Sequence, residues 1–139
     1  MTDRSTATVE RLILQPPEKI WRALTQPHLV AEWLMAGDIQ PVVGHRFQLT
    51  GTWGGVLDCE MLAVEPPRSL SYRWDFPHDD PAYALKSIVT FTLTPTAAGT
   101  LLRVEQTGFR PEQKQAYGGA HAGWKAFLEK LETLTAGLD

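Results

Sequence analysis

The feature that most constrains the fold is an apolar stripe near the C-terminus. From Tyr117 to Leu138, apolar and aromatic side chains recur at steps of three and four residues, while Glu129 and Lys130 lie off the stripe. This spacing predicts a long helix with one apolar face. The stripe consists of Tyr117, His121, Trp124, Phe127, Leu128, Leu131, Leu134 and Leu138. One long stripe needs one apolar wall, and a strongly bent antiparallel sheet supplies it.

The rest of the chain predicts that sheet. Several segments rich in β-branched, aliphatic and aromatic residues are separated by turn residues, which is typical of antiparallel strands. Gly54 and Gly55 predict a hairpin turn between two of them. The six predicted strands are residues 6–14, 46–53, 55–64, 70–74, 87–93 and 100–106. The sequence therefore predicts an α+β fold in which a curved six-stranded antiparallel sheet wraps around the C-terminal helix.

Two short helices are predicted between the first and second strands, within PPEKIWRALTQPHLVAEWL. Pro17 suits a first helical turn, and Pro27 begins a second helix. The apolar faces contain Ile20, Trp21 and Leu24 in the first helix and Leu29, Val30, Trp33 and Leu34 in the second. Helices this short are marginal in water, so we expect both to pack onto a larger surface.

Length, charge and composition exclude several classes of protein. The 139 residues favour one domain over 1–139, and the net charge of −3 gives no electrostatic reason to bind nucleic acid or an anionic membrane. No apolar run reaches the roughly 18 residues of a membrane span, and the N-terminus lacks the apolar core of a secretion signal. The single cysteine excludes an internal disulfide. We therefore expect a cytoplasmic protein.

The order of these segments resembles the helix-grip fold of the START-like (SRPBCC) superfamily. Within it, the chain is most similar to the family of homologues of the activator of heat-shock-protein-90 ATPase. The resemblance lies in PPEKIWRALTQPHLVAEWL, VEPPRSLSYRW, VTFTLTPTAAGTLLRVEQTGF and GWKAFLEKL, which span nearly the whole chain. It implies a cavity between the sheet and the last helix, closed at one end by the short helices. Trp21 and Trp33 would then cap a partly open space.

The inward aromatic residues and this resemblance together predict a binding cavity for a hydrophobic or amphipathic small molecule, with the protein acting as a carrier or sensor. The expected lining is Trp33, Trp53, Met61, Trp74, Phe91, Gln106, His121, Trp124 and Phe127. Aromatic walls would give affinity through apolar burial. His121 and Gln106 would orient one polar group of the ligand. We expect no cofactor.

Two other functions stay open. The family name alone suggests a module that regulates a chaperone ATPase. A cyclase or hydrolase could use the same cavity, with His121 as general acid–base. Many relatives have a histidine at the position of Gln106, and the glutamine in this chain argues against an acid–base role. The simpler interpretation of His121 is a partly buried side chain bonded to a strand carbonyl or to water. We assign no catalytic residue and favour binding over catalysis. A homodimer through an exposed edge strand is also compatible with the sequence.

Three further features of the sequence are interpreted structurally. Cys59 has no neighbouring base or positive charge to form a thiolate, so we expect core packing. His78, Asp79 and Asp80 are adjacent on a loop and lack the spacing of metal ligands, so we expect no metal site. Gly118, Gly119 and Gly123 have two readings. Either the helix begins only at Gly119, or this portion must approach the sheet closely or move.

Overall fold

The protein has three helices and seven strands in the part of the chain that the structure, a computed structural model, describes: residues 5–52, 54–81 and 83–138. In chain order they are β1 (Thr6–Ile13), α1 (Pro17–Thr25), α2 (Pro27–Trp33), β2 (Ala36–Gly37), β3 (Arg46–Thr50), β4 (Val56–Glu65), β5 (Ser69–Phe76), β6 (Leu85–Pro95), β7 (Thr100–Thr107) and α3 (Lys114–Ala136). The strands form one antiparallel sheet in the order β1-β7-β6-β5-β4-β3-β2. This confirms the predicted α+β helix-grip architecture.

The sheet differs from the prediction by one strand. β2 has only two residues, which pair with Thr50 and Leu49 of β3. A strand this short has no alternation of polarity, so periodicity does not detect it. The predicted hairpin turn is present: the amide of Gly51 donates to the carbonyl of Gly55, and Gly54 has a φ of +89°.

Alternation along the strands gives the sheet one apolar face. In β6, Val89, Phe91 and Leu93 are buried and alternate with partly exposed threonines. Phe91 lies opposite Leu70 of β5 and Val104 of β7, so the buried positions of neighbouring strands align. The three helices cover this face and join it in one apolar core.

Trp33 fills the core and does not cap an open space. It is 2% exposed, and its indole N–H donates to the carbonyl of Ala23 at 2.7 Å. Its ring meets the rings of Phe91 and Phe127 edge-on. Trp21 on α1 is partly buried against the same core. α2 is thereby held by packing, as the shortness of the helix requires.

α3 begins at Lys114, so the prediction of a start at Tyr117 or Gly119 is wrong. Gly118, Gly119 and Gly123 are interior helical residues. The prediction that they allow a close approach to the sheet is also wrong, because a Cβ atom at each would meet nothing within 4 Å. Instead, Trp124, Leu128 and Leu131 are the buried apolar residues of α3.

The C-terminal half of α3 is tied to the edge of the sheet. Among the described strands, α3 approaches β1 most closely. Arg11 of β1 forms an ion pair with Glu132 of α3, with 2.9 Å between Nη2 and Oε1. No helix in the described ranges is both long and apolar enough to cross a membrane.

We expect Gly118→Ala to raise the free energy of unfolding by about 0.5–1 kcal/mol, because glycine is the poorer helix former and the added methyl meets open space. Urea denaturation would measure it. Gly44→Ala is the matched control: it also adds a methyl in open space, but its φ of +90° makes alanine strained, so stability should fall. Equal effects at both positions would contradict the helical placement of Gly118.

Candidate functional site

A partly open pocket of about 240 Å³ lies between the sheet and the first half of α3. On the sheet side, it is lined by Leu57 of β4, Trp74 of β5, Leu85 of β6 and Gln106 of β7. The remaining described lining is Met35, Phe109, Ala116, Gly119, Ala120, Gly123, Trp124 and Phe127. The surface is therefore almost entirely apolar, as is usual for sites that bind small molecules.

The pocket exists because one face of α3 carries small residues. Ala116, Gly119, Ala120 and Gly123 recur at steps of three and four, so they share a face of the helix. Long side chains at these positions would reach across to Trp74 and fill the space. Ala116 and Gly119 are exposed, so the pocket opens along the first two turns of α3.

A chain of hydrogen bonds holds the two tryptophans of the pocket wall. The indole N–H of Trp124 donates to Oε1 of Gln106 at 2.8 Å, and Nε2 of Gln106 donates to Oγ of Ser87 at 3.0 Å. Ser87 in turn donates to the carbonyl of Trp74. The rings of Trp74 and Trp124 pack with centroids 5.0 Å apart. The chain joins α3 to β7, β6 and β5, and it fixes the indole of Trp124 and the main chain at Trp74.

The structure brings together four of the nine residues expected to line the cavity: Trp74, Gln106, Trp124 and Phe127. It places Trp33, Met61 and Phe91 in the core behind the pocket, where Met61 and Phe91 are fully buried. Trp53 lies outside the described residues. Gln106 bonds to Trp124 and Ser87, so its polar atoms already have partners within the fold.

His121 lies on a different face of α3 and is not among the described lining residues. Its ring packs edge-on against Tyr117 with centroids 4.8 Å apart, and Tyr117 packs edge-on against Phe109. The apolar stripe of the sequence did not separate the two faces, because a broad stripe covers both of them.

Sequence reasoning missed most of the small and aliphatic lining. Met35, Leu57, Leu85 and Phe109 come from four separate segments, and their meeting depends on register and on the tilt of α3. The small residues from Ala116 to Gly123 could have been identified in the sequence, because their helical spacing places them on one face of the helix.

The segment before α3 is tied to the loop that precedes β6. The side chain of Gln113 is buried, donates to the carbonyl of Ala84 at 2.7 Å and accepts from the amide of Arg110. Arg110 also donates to the carbonyl of Pro81. These contacts hold the loop and the helix start together beside Leu85 and Phe109 of the pocket.

Cys59 is inert. It is 5% exposed, and burial together with the carboxylates of Asp75 and Asp58 raises the pKa of its thiol to about 12. Burial likewise raises the pKa of the Tyr72 hydroxyl. Both groups are therefore protonated near neutral pH, and Cys59 packs in the core as expected from the sequence.

A second depression, of about 430 Å³, is lined by β3, β4 and β5, and most of its lining residues are charged. Its charges pair with one another: Arg46 with Glu60 and Arg73 with Asp75, while Gln48 donates to Asp58 at 2.9 Å. Such mutually paired surface charges are typical of a solvated sheet face. Across the described ranges, no group of three or more metal-binding side chains could hold a metal ion.

A curved antiparallel sheet, a long C-terminal helix and an apolar pocket between them define a helix-grip protein of START-like type. The family model described as "Activator of Hsp90 ATPase homolog 1-like protein" matches residues 15–136, so the chain belongs to that family.

Solved structures of similar proteins agree with this assignment. Protein MLL2253 from Mesorhizobium loti is 63% identical, with 96% of this chain and 98% of that chain covered and a TM-score of 0.94. DynU16, a putative protein in the dynemicin biosynthetic locus, is 27% identical over 98% of this chain and 48% of its own, with a TM-score of 0.84. CalU16 from Micromonospora echinospora is 25% identical over 95% of this chain and 76% of its own, with a TM-score of 0.76. No curated protein matches the sequence.

We expect Gln106→Met to lower the free energy of unfolding by about 1–3 kcal/mol, because it leaves the buried indole N–H of Trp124 without its acceptor. Urea denaturation of Gln106→Met, Trp124→Phe and the double variant would measure the coupling. The double variant should lose less stability than the sum of the single variants, since neither polar group is then left unpaired by the other. Strict additivity would contradict the hydrogen bond.

We expect Cys59 to react with a thiol reagent at pH 8 far more slowly in the folded protein than in urea. A pKa raised from 9.0 to about 12 leaves roughly a thousandfold less thiolate. The linked stability is complete below the ordinary thiol pKa and is lost as the pH rises from there towards 12. Because Cys59 is the only cysteine, the reaction can be followed without a background. Equal rates in both states would contradict the buried placement.

Proposed function

We propose that the protein binds a small hydrophobic or amphipathic molecule in the pocket between the sheet and α3, as a carrier or sensor. The observation that carries this proposal is the pocket itself, about 240 Å³ of apolar space in a domain of 139 residues. Trp74, Gln106, Trp124 and Phe127 are the ligand contacts that both the sequence and the geometry favour.

The apolar wall of the pocket supports a ligand. Apolar surface that a bound molecule removes from water contributes favourably to binding. Glycine inside a helix costs about 1 kcal/mol relative to alanine, and α3 has three such glycines. Gly119 and Gly123 face the pocket, and larger residues there would strengthen the helix while removing the space.

The lining supports binding in preference to a reaction. Its described residues include no His, Asp, Glu, Lys, Tyr or Cys side chain that could transfer a proton or act as a nucleophile. The location of DynU16 in a biosynthetic locus is in keeping with a small-molecule ligand. The homodimer and the cytoplasmic location expected from the sequence stay predictions.

Native mass spectrometry with a library of aromatic and lipid metabolites would test this function, with two helical variants as a matched pair. Gly119→Leu should weaken binding by about tenfold or more, because the new side chain projects into the pocket. Gly118→Leu should leave binding unchanged, since Gly118 is the next residue on the same helix but is not in the lining. A library without a single binder, or equal effects of both variants, would contradict the proposal.

A further inference from the structure

We infer that the pocket selects an uncharged molecule of one or two fused rings and rejects its charged analogues. This inference rests on the proposed function and deepens it by naming the class of ligand. It follows from the charges, the remaining hydrogen-bonding capacity and the size of the lining.

The lining has no ionisable side chain in its described part. The charged residues of the adjacent strands are directed elsewhere, since Trp74 lies opposite Ser87 on the pocket side while Asp75 lies opposite Lys86 at the alternate positions. Arg73 is likewise at an alternate position and pairs with Asp75. A charged ligand group would therefore lose its hydration and find no counter-ion within the pocket.

Gln106 is the one side-chain amide in the described lining, and it retains capacity for one neutral group. Its Nε2 has two hydrogens and its Oε1 has two lone pairs. Each atom uses one of these within the described fold, towards Ser87 and Trp124 respectively. The remaining N–H and lone pair match a ligand amide, carbonyl or hydroxyl. A carboxylate could also accept from the remaining N–H, but one hydrogen bond from a neutral amide does not replace the hydration that the charge loses.

The size of the pocket limits the ligand to a small ring system. An apolar cavity of about 150 Å³ holds benzene. The present pocket, of about 240 Å³, has room for a second fused ring. Trp74, Trp124, Phe109 and Phe127 offer ring faces and edges against which a planar ligand can pack.

Isothermal titration with three probes of nearly equal shape tests the inference. They are naphthalene-2-carboxamide, naphthalene-2-carboxylate and 2-naphthylmethylammonium, which are neutral, anionic and cationic at pH 7. The amide should bind at least about tenfold more tightly than either ion, because only the ions lose hydration without gaining a partner. The Gly119→Leu variant should weaken amide binding, and Gly118→Leu should not.

The outcomes separate the inference from the function on which it rests. If either ion binds as tightly as the amide and Gly119→Leu weakens that binding, the pocket is a ligand site but the neutral selectivity is wrong. If none of the three probes nor any member of the metabolite library binds, both the function and the selectivity are wrong. Amide binding that is insensitive to Gly119→Leu would place the site elsewhere and overturn the inference.

Discussion

The structure depends on how α3 divides its contacts between the two halves of a curved sheet. Its buried apolar residues, Trp124, Leu128 and Leu131, anchor the helix in the core, and Glu132 ties it to the β1 edge through Arg11. Its small residues line the pocket together with residues of β4, β5, β6 and β7. A helix is rigid, so it cannot follow the curvature of the sheet along its whole length. Where its side chains are small, they do not span the distance between the helix and the sheet, and the pocket lies there.

The chain of hydrogen bonds from Trp124 through Gln106 and Ser87 to Trp74 stabilises the wall of that pocket. Each bond joins neighbouring elements, from α3 to β7, then β6, then β5. Because the chain is buried, breaking it leaves polar groups unpaired away from water, which costs more than the bond itself contributes. The chain holds the indole of Trp124 and the backbone of Trp74, and such a pre-organised wall would reduce the entropy that the proposed binding loses.

The family assignment identifies the fold and leaves the function to the site, because one fold commonly hosts many activities. In its described lining, the candidate site is apolar, with one side-chain amide and no ionisable side chain. The groups with unusual acidity, Cys59 and Tyr72, are buried in their protonated forms in the core.

The sequence alone determined the architecture, because apolar residues that recur every two residues in strands and every three to four in helices indicate which faces are buried. The sequence did not predict the seventh strand, because a strand of two residues has no periodicity. It also did not predict the start of α3, because glycines are unfavourable inside a helix. Only the tertiary structure decided which aromatics meet in the pocket. Trp33, Phe91, Trp74 and Trp124 all belong to the core, and only Trp74 and Trp124 also line the pocket. Which of them reach the pocket depends on contacts between residues far apart in the chain, and the periodicity of one segment does not record those contacts.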